Sequence, residues 1–148
     1  MTPSSTPEGR ELVILVGMQG SGKTFYCETA LSDHERISQD EGPRRFPGIL
    51  RRLQELLAQG VPRIVIDRTN PMRWQRAEFA ALARKAGYHL KIVYFDIPAE
   101  VCRERIRSRK GHPTLEAGQM NAAMSRYAFN LDIPTADECD ELIILRGT

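Results

Sequence analysis

Short apolar runs alternate with longer segments of helical periodicity along almost the whole chain. Runs rich in branched aliphatic and aromatic residues predict strands at 12–16, 35–38, 63–67, 90–95 and 141–145. Between them, apolar positions spaced by three and four predict helices at 25–31, 46–59, 72–86, 99–107 and 115–129. Because strands and helices alternate, we predict an α/β domain built on a parallel sheet.

Glycine, proline and asparagine mark several boundaries between these segments. Gly60 is expected to stop the second predicted helix, and Gly87 is expected to cap the carboxyl end of the third. Asn70 and Pro71 are predicted to be the N-cap and the first helical position of that third helix.

Composition is that of an ordinary globular protein. The chain has 148 residues, of which 41% are hydrophobic and 27% charged, so residues 11–148 are expected to form a single domain. Residues 1–10 are rich in Pro, Ser and Thr and are expected to form a flexible tail. The net charge of +2 is too small to indicate nucleic-acid binding by itself.

Cysteine usage and hydropathy indicate where in the cell the protein is located. Cys27, Cys102 and Cys139 are odd in number and far apart, which favours reduced thiols over disulfides or metal ligands. No apolar run approaches the roughly 18 residues that span a membrane, and the amino terminus lacks the apolar region of a signal peptide. We therefore expect a cytoplasmic protein without a membrane partner.

The first predicted strand runs directly into a glycine-rich segment, GMQGSGKT, at residues 17–24. This segment matches G-x-x-x-x-G-K-[ST], the phosphate-binding loop (P-loop), in the strand–loop–helix context that the motif requires. Glycines let the backbone turn its N–H groups inward around a phosphate, next to a helix N-terminus. Lys23 would add a positive charge at the β- and γ-phosphates, and the Thr24 hydroxyl would bind Mg²⁺. The residues predicted to bind the nucleotide are Gly17, Gly20, Ser21, Gly22, Lys23 and Thr24.

Acidic residues lie at or just after the ends of three of the other predicted strands. In a parallel sheet, ligands bind beyond the carboxyl ends of the strands, so Gly17, Asp40, Asp67 and Asp96 are expected to face one cleft. Asp40 is a candidate general base for an acceptor hydroxyl, with a turn-forming role as the alternative. Asp67 is a candidate carboxylate near Mg²⁺, with a capping or salt-bridge role as the alternative.

A basic cluster follows the fourth predicted strand, at Arg103, Arg105, Arg107, Arg109 and Lys110. Spacing by two distributes these side chains over several faces of a helix, so most are expected to be solvated. Arg105 and Arg109 share one face and are candidates for a lid that stabilises charge on the transferred phosphate. His112, in the loop beyond, is a candidate contact for the acceptor or the adenine, or simply an exposed loop residue.

Length and missing motifs narrow the class of phosphate-binding protein. The chain lacks the N-K-x-D sequence with which GTPases read guanine, and its length fits a small kinase better than a motor ATPase or a transporter. The motifs GMQGSGKT, SQD, VIDRTNP, DIP and ERIRSRKGHP, taken in this order, resemble those of the P-loop polynucleotide 5′-hydroxyl kinases. The similarity covers nearly the whole chain, from about Glu11 to Leu145.

The resemblance implies a three-layer α/β P-loop kinase fold with a parallel five-stranded sheet in the order 2-3-1-4-5 and a helical lid. It also implies transfer of the γ-phosphate of ATP, with Mg²⁺, to a 5′-hydroxyl of DNA or RNA. The positions that match the family's functional residues are Lys23 and Thr24 of the P-loop, the base Asp40, Asp67 of the D-x-T-N stretch, and the lid residues Arg105 and Arg109.

Acceptor recognition is where the chain departs from the family. An arginine often follows the base by three residues and binds the acceptor's phosphate, whereas this chain has Pro43 there, followed by Arg44 and Arg45. The candidate acceptor-binding residues are Arg44, Arg45, Asp67 and Arg68, with Arg51 and Arg73 as further possible phosphate contacts. Three other functions stay open: a kinase of a hydroxymethylated base in DNA, a kinase of a small alcohol or nucleoside, and a nucleotide-binding module without transfer activity.

Overall fold

A computed structural model describes residues 9–38, 45–108 and 117–147 of the chain. It contains one sheet in which all paired strands are parallel and whose order is β2-β3-β1-β4-β5. The strands are β1 (Glu11–Val16), β2 (Glu35–Ser38), β3 (Arg63–Asp67), β4 (His89–Asp96) and β5 (Glu141–Arg146). The predicted strands, their parallel pairing and the order 2-3-1-4-5 are thereby confirmed.

Helices connect the strands as the alternating pattern predicts. They are α1 (Lys23–Thr29), α2 (Phe46–Ala58), α3 (Arg73–Lys85), α4 (Ala99–Ser108) and α5 (Ala117–Asn130), with a short 3-10 helix at Ala136–Glu138. Each lies within about two residues of its predicted position, the usual uncertainty of helix ends. Gly87 follows α3 with a φ of 83°, in agreement with its predicted role at the end of this helix.

The central strand β1 is buried on both faces because helices cover both sides of the sheet. On one face, Leu12 and Ile14 lie in a core with side chains of α2 and α3, including Leu53 and Phe79. On the other face, alternate residues such as Leu15 lie in a second core with side chains of α1. A near-continuous apolar strand is typical of this arrangement, since neither face meets water.

A third apolar cluster joins the P-loop to the last two helices. Met18 of the loop packs with Cys102 of α4 and with Met120, Met124 and Tyr127 of α5. No helix in the described parts of the chain is both long and apolar enough to cross a membrane. Most of the predicted amino-terminal tail, residues 1–8, and the segment 109–116, where a lid was predicted, lie outside the described residues.

The predicted start of α3 was wrong. The N-cap position is Met72, and Asn70 lies before it with a left-handed φ of 47°. The Asn70 side chain is buried and donates a hydrogen bond of 2.7 Å to the Leu15 carbonyl of β1 instead of capping the helix. Asparagine tolerates left-handed backbone better than most residues, so one side chain meets both requirements of this turn.

Candidate active site

The P-loop backbone adopts a conformation that depends on its glycines. Gly20 has a φ of 81°, and a Cβ there would lie 2.6 Å from the Cys102 carbonyl oxygen of α4. A Cβ at Gly17 would lie 2.6 Å from the Ser21 Oγ and 2.9 Å from the Cβ of Phe95. Any larger residue at these positions would therefore push the loop away from β4 and α4.

One carbonyl in the loop is bonded by two later loop residues. The Met18 oxygen accepts the Ser21 backbone N–H at 3.2 Å and the Lys23 Nζ at 2.9 Å. Lys23 is the first residue of α1, and its side chain therefore reaches back across the loop to the Met18 carbonyl. The buried Ser21 Oγ has no hydrogen-bond partner among the described residues. A tight glycine loop with an ammonium group and a spare buried hydroxyl fits a polyphosphate chain.

Arg105 is the one predicted lid arginine that the structure describes, and it lies beside this loop. Its Nη1 donates to the Gly20 carbonyl at 3.3 Å and lies 3.5 Å from where a Cβ of Gly22 would be. The side chain is largely exposed, so it is free to exchange this carbonyl for an anion. Arg109, the second predicted lid residue, lies outside the described residues.

Asp67 forms an ion pair at the carboxyl end of β3. Its Oδ2 accepts Arg36 Nε at 2.8 Å and lies 2.6 Å from Arg36 Nη2, on the neighbouring strand β2. The salt-bridge alternative left open by the sequence is therefore present, and it leaves the role near Mg²⁺ as a prediction. Burial raises the pKa of the nearby Cys27 thiol to about 12, and the Asp67 carboxylate adds to the increase, so Cys27 stays protonated at neutral pH.

The described residues include no group of three or more His, Cys, Asp or Glu side chains that could enclose a metal ion. Magnesium in phosphate-transfer sites is commonly held by one or two protein oxygens with phosphates and waters. The exposed Thr24 hydroxyl at the start of α1 and the Asp67 carboxylate are the candidate ligands of that kind. Of the residues predicted to share the cleft, Gly17 follows β1 directly, while Asp67 and Asp96 end β3 and β4.

Arg68 directly follows Asp67, at the carboxyl end of β3. Its Nε and Nη1 are buried and have no hydrogen-bond partner among the described residues. Burial also lowers the pKa of Arg68 from its usual value, because the charged guanidinium loses hydration there. A guanidinium in this situation would be stabilised by an anion.

The other predicted acceptor contacts differ in their surroundings. Arg45 lies exposed at the N-cap of α2, and Arg51 is exposed on the same helix. Arg73 is engaged within the protein, since its Nη2 lies 2.8 Å from an Asp137 carboxylate oxygen and its Nη1 donates to the Thr135 hydroxyl. Three predicted site residues (Asp40, Arg44 and Arg109) and His112 lie outside the described residues.

Sequence reasoning missed the side chains that fix the connection between β3 and α3 (residues 68–72). Arg76 is 1% exposed and donates to the carbonyls of Asn70 and Pro71 and to the carboxylate of Glu138. The Thr69 carbonyl in turn accepts the Gly17 N–H at 3.1 Å. The connection thus holds the start of the P-loop. Arginine on a helix usually indicates an exposed position, and no local signal marks this one as buried.

A cavity of about 940 Å³ opens beside the P-loop. Its lining includes Ser21 and Gly22 of the P-loop, Phe25 and Tyr26 of α1, Ile97 after β4, and Leu145 and Gly147 at the end of the chain's last strand. Arg105 also lines it and bonds the loop at the Gly20 carbonyl. Sequence reasoning did not find this cavity, because its lining comes from three separate segments of the chain, at residues 21–26, 95–108 and 145–147.

Comparison with known proteins identifies the family of the chain. Residues 43–129 match the family model AAA_33, described as an AAA domain, and this match covers more than half of the chain. The chain belongs to the AAA_33 family of AAA domains. The P-loop lies outside the matched residues, so it supports nucleotide binding separately from the family match.

Two curated relatives of this AAA domain are much longer than the chain. Transcription factor bHLH140 of Arabidopsis thaliana is 32% identical over 136 residues, which cover 86% of the chain and 15% of that protein. A protein of Acanthamoeba polyphaga mimivirus named "Putative bifunctional polynucleotide phosphatase/kinase" is 27% identical over 100 residues, which cover 66% of the chain and 23% of that protein. The chain thus spans less than a quarter of either relative.

Several solved structures that are similar to this AAA domain are named as kinases. A sugar kinase from Janibacter sp. HTCC2649 superposes with a TM-score of 0.65 at 22% identity, over 93% of the chain and 85% of that structure. A fungal RNA kinase superposes with a TM-score of 0.62 at 15% identity, over 94% of the chain and 75% of that structure. At these identities the similarity establishes the fold, which is that of the P-loop kinases.

Proposed function

We propose that this AAA domain is an ATP-dependent phosphotransferase that moves the γ-phosphate to a hydroxyl of a nucleic acid, and that the acceptor is the 5′-hydroxyl of a DNA or RNA end. The observation that carries the transfer reaction is the P-loop, whose carbonyls at Met18 and Gly20 accept hydrogen bonds from Lys23 and from Arg105 of α4. Two cations at a phosphate-binding turn suit phosphoryl transfer, which depends on positioning and charge stabilisation.

In this proposal, some residues bind the donor and its metal ion, and others act on the acceptor hydroxyl and the transferred phosphate. The P-loop N–H groups and Lys23 hold the β- and γ-phosphates, and Thr24 and Asp67 hold Mg²⁺, which neutralises phosphate charge when bound. Asp40 accepts the proton of the acceptor hydroxyl. At the same time the hydroxyl oxygen forms a bond to the γ-phosphorus, and the bond between the γ-phosphorus and the β-phosphate oxygen breaks. Arg105 and Arg109 stabilise the charge that develops on the transferred group.

The donor's nucleoside would occupy the cavity beside the P-loop. Apolar side chains such as Ile97 and Leu145 provide surfaces for a planar base, and Arg105 at the phosphate side lies where the ribose and phosphates would enter. A volume of about 940 Å³ is within the usual range of small-ligand sites and is sufficient for a nucleoside.

The nucleic-acid acceptor is supported mainly by Arg68. Its buried Nε and Nη1, which have no partner among residues 9–38, 45–108 and 117–147, lie just after the carboxyl end of β3, where acceptor and donor would meet, and they suit a phosphate of the acceptor strand. The names of the mimivirus relative and of the fungal RNA kinase point in the same direction. The similarity to a sugar kinase keeps a small alcohol as the second candidate acceptor.

A panel of acceptors tests the proposal. The protein is incubated with γ-labelled ATP, Mg²⁺ and, separately, 5′-hydroxyl DNA, 5′-hydroxyl RNA, DNA with hydroxymethylated bases, free nucleosides and sugars. We expect label on the 5′-hydroxyl oligonucleotides and none on matched oligonucleotides that already carry a 5′-phosphate. Label only on sugars or nucleosides would overturn the nucleic-acid acceptor, and label on none would favour a binding module.

A further inference from the structure

An aromatic pair, made of the exposed Trp74 and the partly buried Phe46, lies at the start of α3 and α2. Trp74 is 56% exposed, and its ring meets the ring of Phe46 edge-on, with centroids 5.3 Å apart. Phe46 in turn packs against Phe79, which is fully buried, at 5.4 Å. The Trp74 indole is therefore packed against a series of aromatic rings that reaches the core, while more than half of its surface faces solvent.

The backbone that carries Trp74 is fixed as well. The N–H of the preceding residue, Arg73, donates to Asp132 at 2.9 Å, and the Arg73 guanidinium bonds Thr135 and Asp137. An exposed tryptophan on such a rigid base loses little conformational entropy when a ligand covers it, since its side chain has only two rotatable angles.

The location of this pair connects it to the acceptor. In a parallel sheet, helices α2 and α3 begin at the carboxyl edge of β2 and β3, where ligands bind. Arg68 lies in the connection that leads into α3, and Arg45 precedes Phe46 directly. Both arginines thus lie in the segments that lead into the helices carrying the pair. Aromatic faces for bases and cations for phosphates are the combination that binds single-stranded nucleic acid.

We propose that Trp74, supported by Phe46, is a stacking platform for a base of the acceptor strand next to its reacting end. The inference rests on the proposed function and makes it more specific: the preferred acceptor is a single-stranded end, since a base inside a duplex keeps its faces stacked on its neighbours. Trp74 acts in acceptor binding and has no part in the transfer step.

The chain offers a direct reporter, because Trp74 is its single tryptophan. Stacking of a base on the indole should quench its fluorescence, so the emission of the full-length chain is titrated with a 5′-hydroxyl single-stranded oligonucleotide without ATP. The comparison ligands are the same oligonucleotide lacking its terminal bases, a blunt duplex, and a sugar. We expect saturable quenching by the first ligand and several-fold weaker quenching by the others.

Kinetics of a matched set of variants complete the test. Trp74→Ala should raise the KM for a single-stranded acceptor roughly five- to hundredfold, with kcat and the KM for ATP unchanged. Trp74→Phe should restore most of the affinity, because phenylalanine also stacks. Phe129→Ala is the control: Phe129 is 89% exposed on α5, so it removes an exposed aromatic ring elsewhere.

The outcomes distinguish a failure of the proposed stacking platform from a failure of the proposed function. Transfer to oligonucleotides with no quenching, and an unchanged KM in Trp74→Ala, would overturn the platform and leave the kinase proposal standing. Absence of both transfer and quenching would overturn both. A blue shift of the emission that depends on protein concentration alone, with no response to oligonucleotide, would mean that a second copy of the chain covers Trp74, and would likewise overturn the proposal.

Discussion

Gly20 shows how a single residue links the phosphate site to the packing of the domain. Gly20 and Gly87 have nearly the same left-handed φ, 81° and 83°, but a Cβ at Gly20 would meet the Cys102 carbonyl at 2.6 Å, whereas a Cβ at Gly87 would meet nothing within 4 Å. The first glycine is therefore required for space as well as for backbone conformation, and the second for conformation alone.

This pair gives a matched prediction. Gly87→Ala should lower the free energy of unfolding by about 1–2 kcal/mol, the cost of left-handed backbone for a residue with a Cβ, and should leave ATP binding intact. Gly20→Ala should cost at least as much and should also weaken ATP binding by an order of magnitude or more, because the loop must move away from α4. Chemical denaturation and calorimetric titration with ATP measure both effects. Equal ATP affinity in the two variants would contradict this account.

Asp40 is proposed as the base that takes the acceptor's proton. Asp40→Asn keeps the shape of the side chain but not its basicity, so we expect transfer to fall by about two to four orders of magnitude while the dissociation constant for ATP stays within about twofold. Labelled-phosphate transfer and ATP titration are measured on the same preparation. Full activity in Asp40→Asn would remove the base assignment.

Arg68 is proposed to bind an acceptor phosphate, and salt dependence distinguishes this from a structural role. Arg68→Ala should weaken oligonucleotide binding and reduce the slope of log Kd against log salt by about one, as expected for the loss of one phosphate contact. Arg68→Lys should recover the slope but not all the affinity, because lysine lacks the forked donors. Arg52→Ala, at an exposed arginine paired with Glu55, is the control. A lower melting temperature with an unchanged slope would show that Arg68 serves folding only.

At the scale of elements, the connection between β3 and α3 holds the P-loop in position. The Asn70 amide donates to the Leu15 carbonyl, the Thr69 carbonyl accepts the Gly17 N–H, and Arg76 donates to the carbonyls of Asn70 and Pro71. These bonds join the end of β1 to the start of α3. Stability and nucleotide binding are therefore expected to be coupled through this connection.

Asn70 permits a test that separates its two contributions. Asn70→Gly keeps a residue that tolerates the φ of 47° but loses the amide bond to Leu15, and should cost about 1–3 kcal/mol for the unpaired buried carbonyl. Asn70→Ala loses the bond and adds backbone strain, so it should cost about 1 kcal/mol more. Both variants should also weaken ATP binding. Identical stabilities for Asn70→Gly and wild type would show that the hydrogen bond contributes nothing.

The elements themselves were predictable from local pattern, and the contacts between them were not. Branched aliphatic runs and helical spacing gave all five strands and their helices, because those signals lie within single segments. The buried Arg76 and the pairing of Arg36 with Asp67 depend on which segments become neighbours. Asn70 was wrongly expected to cap α3, because a cap is a local pattern and its true acceptor, Leu15, is distant in sequence.

The proposed chemistry occupies one end of the whole molecule, and a polar network occupies the other. Glu11 begins β1 at the amino edge of the sheet, where its carboxylate lies 2.8 Å from His34 Nε2 and 3.6 Å from Lys91 Nζ. The hydrogen bond from His34 lowers the pKa of Glu11, and Lys91 lowers it further, against the opposing effect of burial. This network joins β1, β4 and the segment before β2, far along the strands from the P-loop.

Since the pKa of Glu11 is lowered on folding from its usual 4.5, the folded state favours the ionised carboxylate. The stabilisation is then complete at neutral pH and is lost as the pH falls below about 4.5 through the lowered pKa. Glu11→Gln should therefore be less stable than wild type by about 1 kcal/mol near pH 7, and the difference should shrink in acid. Urea unfolding across this pH range measures this difference in stability, with the exposed Glu55→Gln as a control that should differ little from wild type at any pH.

The ATP affinity of Glu11→Gln at neutral pH should match wild type, because the network stabilises the sheet at the end opposite the phosphate site. A difference that persists or grows in acid would mean that Glu11 acts through packing and not through its charge.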